Sequence, residues 1–375
     1  MTHAIGGFFE KYRDRTDRFF ALLDRMDIHP AIVFTILRLC GTLRLKHVCS
    51  CLPDSPGRRG LVLHFDNSII KLLNGPHLFD GHLQTPIPEL VYDQAGLGLP
   101  HYGRVAEELY QHAKIGITTR PRISKHGASA TTDVVQLVPF NPHQSVERRA
   151  AVCANDWLFF TDAIHELTPA EFVASLHLRL RMCPATVVFP AICNCGNQAL
   201  TQPEFIEHVY VCDKATRVGH TARHNGVVRA LASVCRTYGI TTTQEPRFYT
   251  YEDGNLNRPD VTFHTRVPIA TDVTIVKSQY EVGVAAGNAA AEKVKKHEQA
   301  VKRMGHRFIP FAMEIYGHLD KGCEELFDTL SMELTPFTRG VFKRDMRHAV
   351  SVALARGKAQ AVQSAIAVQR NKTVW

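Results

Sequence analysis

The chain has 375 residues, of which 45% are hydrophobic and 21% are charged, and this composition excludes a disordered, collagen-like or coiled-coil protein. The length is sufficient for two or three domains, each with its own core. The formal net charge is +8, and residues 337–375 carry eight Lys and Arg residues against one Asp. A nearly neutral body followed by a basic tail suits a polyanionic partner, although a solvated helix face can have the same composition.

Helices are expected along most of the first half, because aromatic and aliphatic residues recur there at helical spacing. The predicted helices lie at residues 7–50, 61–73, 104–114 and 169–181. Residues 51–60 contain two prolines and two glycines and are predicted to be a break between helices. Thr168 is a candidate N-cap for the last of these helices, and residues 126–150 are predicted to be a linker.

The second half mixes strands with helices. Helices are predicted at residues 225–238, 288–305 and 321–332, and strands at residues 240–245, 261–265, 269–277 and 308–314. The runs at 261–265 and 269–277 are separated by Arg266-Val267-Pro268 and are predicted to form a hairpin. This order of elements predicts a small α/β domain.

The N-terminus and the cysteines favour a soluble intracellular protein. Residues 1–27 alternate acids, bases and aromatics and lack the apolar core of a secretory signal. The early apolar run at residues 31–40 is well short of the roughly 20 residues that span a bilayer. The ten cysteines are scattered along the chain, which favours reduced thiols or metal ligands over a disulfide framework.

Three cysteines and a histidine form a candidate metal site. Cys193, Cys195, His208 and Cys212 lie within 20 residues and offer the Cys₃His ligand set of a closed, structural Zn²⁺ site. The single residue between the first two cysteines is tighter than the usual spacing, so buried thiols beside surface histidines remain an alternative. Other candidate ligands are Cys183, His220 and His224.

Two acids and a lysine form a second candidate site. Asp260 opens the predicted hairpin and Asp272 lies on its second strand, so the two carboxylates are expected to converge and to need a cation such as Mg²⁺ between them. Lys293 and His297 share one face of the next helix, and Glu245 is a third candidate acid. Taken singly, these residues are also typical of turns, edge strands and solvated helix faces.

A resemblance to a known family is carried by the segments RHNGVVRALASVCRTYGI, RPDVTFHTRVPIATDVTIV and AAAEKVKKHEQAVKRMGHRFIPFAMEIYGH. They resemble the restriction-like endonuclease at the C-terminal end of site-specific non-LTR retrotransposon polyproteins, a variant of the PD-(D/E)XK nuclease fold. The family pattern is Lys/Arg-Pro-Asp, then Asp, then a helical Lys-x-x-x-Tyr, and it is matched by Arg258-Pro259-Asp260, Asp272 and Lys293. His297 stands where the family usually has Tyr, and Thr274 stands where ordinary PD-(D/E)XK nucleases carry lysine.

The resemblance implies an α+β architecture with a helical N-terminal half, a small zinc knuckle and a PD-(D/E)XK restriction-endonuclease-like α/β domain. Upstream, AIVFTILRLCGTLRLKHVCSCLP and QAGLGLPHYGRVAEELYQHAK resemble the thumb and post-thumb region of these elements. The implied divisions are a thumb-like region at 1–125, a linker at 126–150, a helix with the knuckle at 151–222, an endonuclease domain at 223–336 and a basic tail at 337–375.

The resemblance also implies roles for the site residues. Zn²⁺ is assigned to Cys193, Cys195, His208 and Cys212, and Mg²⁺ to Asp260 and Asp272. The implied catalytic residues are Asp260, Asp272, Lys293, Glu245 and His297. The implied nucleic-acid contacts are Arg223, Lys296 and Arg258.

The implied function is a metal-dependent endonuclease that nicks target DNA in the nucleus to prime reverse transcription. The implied partners are the target duplex and, for the upstream half, element RNA, with no membrane association. The chain contains no adjacent pair of aspartates, so the polymerase motif of the family is absent and no polymerase activity is expected. A catalytically inactive nucleic-acid-binding remnant and a cellular repair or junction-resolving nuclease of the same fold are the alternatives.

Overall fold

The computed structural model describes residues 2–81, 83, 97–114, 156–159, 167–180, 182–183, 191, 193, 195, 200–212, 214, 219–251, 258–277 and 281–370. The linker predicted at 126–150 lies outside the described residues. The chain divides into two compact units, which are Met1–Pro139 with Thr168–Leu180, and Phe140–Leu167 with Arg181–Trp375. The helix predicted to accompany the zinc knuckle therefore belongs to the first unit.

Helices make up most of the described residues, and the strands among them lie between residues 242 and 314. The helices are α1 (Thr2–Arg25), α2 (Pro30–Ile36), α3 (Arg44–Cys51), α4 (Pro56–Leu73), α5 (Tyr102–Lys114), α6 (Asp156–Phe159), α7 (Pro169–Arg179), α8 (Gln202–Val211), α9 (Gly219–Thr237), α10 (Val284–Arg303), α11 (Lys321–Ser331) and α12 (Pro336–Arg370), with a π-helical turn at Leu37–Gly41. The strands are β1 (Thr242–Gln244), β2 (Val261–Phe263), β3 (Ile269–Thr271), β4 (Val273–Val276), β5 (Arg307–Phe308) and β6 (Phe311–Glu314). The structure is thus mixed α+β, and no helix of the described residues is long and apolar enough to cross a membrane.

Helix α4 begins earlier than its periodicity predicts. The Ser55 side chain accepts a hydrogen bond from the backbone N–H of Arg58, and Pro56 occupies the first turn, where its missing N–H costs nothing. The break predicted at residues 51–60 is therefore wrong from Pro56 onward. Helix α7 begins as predicted, with a capping box between Thr168 and Glu171.

A buried carboxylate joins two helices of the first unit. Asp66 on α4 accepts the backbone N–H groups of Tyr102 and Gly103 at 3.1 and 2.9 Å, so it caps the N-terminus of α5. Burial raises the pKa of Asp66 above its usual value. The preceding residue, Phe65, lies edge-on between Phe20 and Tyr102, with its ring centroid 5.5 and 5.7 Å from theirs.

The second unit contains two small sheets. One has the order β1–β2–β3–β5, in which the β2–β3 pair is the predicted antiparallel hairpin and β3 runs parallel to β5. The other pairs β4 with β6 in parallel. The strand predicted at 269–277 is therefore divided at Asp272, and the strand predicted at 308–314 is divided beside Pro310. Pro310 has no N–H, but the residues on either side of it, Ile309 and Phe311, donate to the carbonyls of Ala270 and Asp272 at 3.0 and 3.1 Å.

Helix α12 is part of the core of the second unit, and this corrects the expectation of a basic tail. It packs against α9 along much of its length and also against α11, α8 and α6. Its deeply buried residues include Phe342, Met346, Val350, Leu354, Val362 and Ala365. Two of its basic residues pair within the unit, since Lys343 Nζ lies 2.8 Å from Asp328 and Arg347 Nε donates to Glu324 at 3.0 Å. Apolar residues recur at helical spacing along this segment, and their packing places the helix in the core despite its net positive charge.

Candidate metal centre and acid–lysine site

The cysteine–histidine cluster is assembled from a short bridge and a helix. Ala191 and Leu200 form an antiparallel bridge with N–H···O distances of 3.0 and 2.7 Å, which encloses the first two cysteines. Helix α8 follows at once, because Thr201 and Glu204 form a capping box at its start. His208 lies in the last turn of α8, and Cys212 caps its C-terminus one turn later.

The four predicted zinc ligands are brought together. Cys193 Sγ lies 3.9 Å from Cys212 Sγ, and Cys195 Sγ lies 3.3 Å from His208 Nε2. The four ligand atoms all lie within 4.8 Å of one another. Sulfur ligands about 2.3 Å from a tetrahedral zinc ion lie about 3.8 Å apart, so the cluster has the ligand set and the approximate spacing to hold such an ion. Among the described residues, no other set of three or more His, Cys, Asp and Glu side chains brings its ligand atoms this close together.

The ionisation of two of these groups suits metal binding. Burial, assisted by the positive charge of Lys277, lowers the pKa of His208 and favours the neutral imidazole that ligates metals. Burial raises the pKa of the Cys193 thiol to about 11, so in the absence of a cation this sulfur holds its proton. Zn²⁺ would displace that proton on binding.

Three acids lie at one level of the larger sheet. The registers pair Gln244 with Val261, and Val261 with Thr271. The next residues in register are all acidic: Glu245 follows Gln244, Asp260 precedes Val261, and Asp272 follows Thr271. The backbone N–H of Glu245 donates to the carbonyl of Asp260 at 2.8 Å, so the pairing of strands β1 and β2 extends by one residue to these acids.

Asp260 and Asp272 occupy neighbouring backbone positions at one end of the hairpin. Asp260 Oδ2 accepts the backbone N–H of Val273 at 2.7 Å, so its carboxylate lies beside the peptide that follows Asp272. Hard oxygen donors of this kind are the ligands that Mg²⁺ prefers. The two side chains are chemically suitable for such an ion.

Asp272 has two basic neighbours on helix α10. Its side chain is 7% exposed, and its Oδ2 lies 2.6 Å from Lys293 Nζ and 3.2 Å from His297 Nε2. Burial alone would raise the pKa of this carboxyl, but the contacts with His297 and Lys293 outweigh it and hold the pKa of Asp272 well below its usual range. Asp272 is therefore ionised at neutral pH.

His224 on helix α9 is the partner of Asp260, and sequence reasoning considered it only as an alternative zinc ligand. Its Nε2 lies 3.0 Å from Asp260 Oδ2 and 3.1 Å from the carbonyl of Val273. Both neighbours are acceptors, so Nε2 carries a proton. The hydrogen bond to Asp260 is the main cause that raises the pKa of His224 to about 9, and the imidazole is therefore cationic at neutral pH. The two residues are 36 positions apart in the sequence, so no local sequence pattern could predict their pairing.

Glu245 and Arg258 pair with one another. Their side chains approach to 3.5 Å and are 69% and 38% exposed. Glu245 has a φ of 47°, a left-handed backbone that turns the chain at the end of β1. Lys296 is exposed on α10, beside Lys293, where it is accessible to a nucleic acid.

Two predicted roles require correction. Arg223 is 4% exposed and donates to the carbonyl of Tyr210 at 3.3 Å, so its guanidinium is inside the protein and is not accessible for the predicted nucleic-acid contact. His297 is fully buried, which is incompatible with direct contact with a substrate. Its neighbours are Asp272 and Tyr251, a residue that sequence reasoning did not single out.

The comparisons with known proteins agree with the resemblance at a coarse level. No protein-family model matches the chain. Over 123 residues, the chain is 33% identical to the retrovirus-related Pol polyprotein from type-1 retrotransposable element R2 of Popillia japonica. The matched stretch is 30% of this chain and 26% of that polyprotein, so the chain spans about a quarter of the relative it matches. This similarity supports a relationship to non-LTR retrotransposon polyproteins, whose members act on nucleic acid.

Proposed function

We propose that the second unit is a Mg²⁺-dependent DNA endonuclease of retroelement origin. The observation that carries this proposal is the arrangement of Asp260, Asp272 and Lys293. Two carboxylates lie at one end of the hairpin, and a helical amine lies 2.6 Å from the second of them. Such a set has the charges that phosphodiester hydrolysis requires.

Each of the three residues has a role in this proposal. Asp260 and Asp272 hold Mg²⁺, which, when bound, polarises the scissile phosphate and lowers the pKa of the attacking water. The amine of Lys293 is 27% exposed, so it can turn from Asp272 to a phosphate oxygen and stabilise the negative charge that develops there. The backbone N–H of Val273 and the cation of His224 keep the Asp260 carboxylate in place.

The DNA would be held mainly through its phosphates. Lys296 and Arg258 are exposed near the acids, and the Cys₃His cluster with Zn²⁺ stabilises the segment that leads into α9. Nicking in the nucleus would release a 3′ hydroxyl from which reverse transcription is primed by the complete element. Element RNA is a further partner in this proposal, bound by the helical first unit.

Nicking of supercoiled plasmid tests the proposal. The parent protein is expected to convert supercoiled to open-circular DNA in Mg²⁺ and not in EDTA, and Asp272→Asn is expected to lose this activity. Asp328→Asn is the matched control, because its carboxylate is 62% exposed on α11 and is remote in sequence from the three acids. Equal nicking by the parent and Asp272→Asn, or none by the parent, would contradict the assignment.

A second candidate function is a catalytically inactive nucleic-acid-binding remnant. It is favoured by one observation, which is that both carboxylates already have cationic neighbours, His224 at Asp260 and Lys293 at Asp272. A protein that binds duplex DNA with a steep salt dependence in fluorescence anisotropy, but does not nick it at any Mg²⁺ concentration, would support this candidate.

A further inference from the structure

Three rings form a connected cluster on the second unit, and one of them faces solvent. The ring of Phe248, which follows β1, has its centroid 4.6 Å from that of Tyr249 and 6.0 Å from that of His306. Phe248 is 39% exposed, whereas Tyr249 is buried. These three residues are named the ring cluster.

The support beneath the exposed ring is fixed from several elements. The hydroxyl of Tyr249 lies 3.1 Å from Oγ1 of Thr262 on β2 and 2.9 Å from Nδ1 of His306. Its ring packs in a core cluster with Val301 of α10 and with side chains of β3 and β5. A lone exposed hydrophobic residue is ordinary on a protein surface. Phe248 differs because its neighbours hold it in place, so little conformational freedom is lost when a flat partner stacks on it.

Arginines accompany the exposed ring. Arg247 directly precedes Phe248 and is exposed. The backbone N–H of Arg307, the residue after His306, donates to the carbonyl of Pro268 at 2.9 Å, which brings the β2–β3 turn with the exposed Arg266 to the same edge of the unit. Arg307 pairs with Glu325, but both side chains are about half exposed. Exposed pairs of this kind are weak, so a phosphate can replace the carboxylate.

We propose that the ring cluster and these arginines bind single-stranded nucleic acid, with a base stacked on Phe248 and the adjoining phosphates held by the arginines. Every base offers a flat π-face, and cationic side chains beside an aromatic ring are the combination that binds single strands without sequence preference. A duplex keeps its base faces covered by stacking, so it can use the arginines but not the ring.

The ring cluster lies close to the proposed active site. Tyr249 packs on Val301, which is one turn of α10 beyond His297, and His297 contacts Asp272. A strand opened beside the nick would therefore reach Phe248. This use of the surface rests on the proposed nuclease function, whereas the binding of a single strand does not.

Phe248→Ala tests the proposal in fluorescence anisotropy of the full chain. The probes are a labelled DNA strand of about 20 nucleotides, the RNA strand of the same sequence, and the DNA duplex. The affinity for single strands is expected to fall about 10-fold, because one stacked base is lost, and the affinity for duplex should stay within about twofold. Phe337→Ala is the matched control: it removes a phenylalanine that is 95% exposed at the start of α12, and it should leave all three affinities unchanged.

Two further variants report on stacking and on phosphate contact separately. Phe248→Trp keeps a stacking ring, so it should retain the affinity for single strands, and their binding should quench the added indole fluorescence. Arg247→Ala should reduce the slope of the logarithm of affinity against the logarithm of salt concentration by about 0.7, the value for one phosphate contact on a single strand. Arg229→Ala, at an exposed arginine of α9, should leave that slope unchanged.

Equal single-strand affinity of the parent and Phe248→Ala, or no quenching in Phe248→Trp beyond that of the parent, would overturn the proposal. A greater Phe248-dependent affinity for DNA than for RNA would assign the surface to the strand at the nick, and the reverse would assign it to element RNA. If the parent binds single strands through Phe248 but does not nick in Mg²⁺, the binding surface stands and the nuclease assignment fails.

Discussion

Asp272 lies opposite Pro310 in the parallel ladder, because the registers on either side pair Ala270 with Phe308 and Val273 with Phe311. Pro310 has no N–H to donate, but the neighbouring Ile309 donates its N–H to the carbonyl of Ala270 at 3.0 Å, so the hydrogen bonding continues up to Asp272. The carbonyl of Asp272 accepts the N–H of Phe311 at 3.1 Å, and the backbone is therefore anchored on both sides of Pro310. A catalytic carboxylate held on anchored backbone needs little reorganisation.

Lys293 and Lys296 are expected to differ in their effects on nicking. Lys293 Nζ lies against Asp272, whereas Lys296 lies one turn further along α10 and is exposed. Lys293→Ala should lower kcat by about 10²-fold, because a positioned charge is lost. Lys296→Ala should leave kcat within about twofold and weaken DNA binding in a salt-dependent manner. Nicking and anisotropy titrations measure the two effects, and equal losses of kcat would contradict the assignment of Lys293.

The ion pair between His224 and Asp260 predicts a pH dependence of stability. The pKa of His224 is raised from 6.5 to about 9 in the folded protein, so its stabilising effect is complete below pH 6.5 and is lost as the pH rises through 9. A loss on the order of 2 kcal/mol is expected in Mg²⁺-free buffer. Urea unfolding at several pH values should show this decline in the parent protein and in His264→Gln, an exposed control. The decline should be absent in His224→Gln, and its persistence there would exclude His224 as the cause.

Zinc content tests the cysteine–histidine cluster. The purified protein should contain about one zinc ion per chain, because the four ligand atoms already lie at distances suitable for a tetrahedral site. Cys212→Ser should lose the metal and lower the midpoint of thermal unfolding. Cys40→Ser, at an exposed cysteine outside the cluster, should retain it. Equal zinc content in the two variants, measured by mass spectrometry of the metal, would rule out the proposed ligands.

Two glycines of helix α12 predict opposite changes in stability. A Cβ on Gly357 would lie 2.9 Å from the Cα of Arg223 and even closer to its side chain, so Gly357→Ala should destabilise by about 1–3 kcal/mol. A Cβ on Gly340 would meet nothing within 4 Å, so Gly340→Ala should stabilise by about 0.5–1 kcal/mol through the lower flexibility of the unfolded chain. Chemical denaturation measures both, and destabilisation by Gly340→Ala or stabilisation by Gly357→Ala would contradict the packing.

The features that the sequence predicts well are those made by residues close in the chain. Cys193, Cys195, His208 and Cys212 are joined by one bridge and one helix, so their spacing together with the family resemblance indicates the cluster. The hairpin places Asp260 beside the peptide after Asp272 through a single turn. Periodicity likewise indicates α4 and α10, and it is uncertain only at their ends.

The features that the sequence does not predict depend on pairs that are distant in the chain. His224 reaches Asp260 from α9, and Tyr251 reaches His297 from beyond β1, and neither pair has a spacing that a local pattern could indicate. Arg223 carries a charge that favours a surface position. Its burial follows from the close approach of α12 at Gly357, which becomes apparent only when the helices are packed.

The burial of α12 bears on how copies of such a gene would lose function. A premature stop codon after the acids and Lys293 would leave every residue of the proposed active site encoded. It would nevertheless remove Phe342, Val350 and Val362, which are fully or almost fully buried. Helix α9, which carries both Arg223 and His224, would then lose its apolar cover, and intact motifs would be translated into a polypeptide unable to fold. An open reading frame through Ile366 is therefore a more informative sign of a working copy than the motifs themselves.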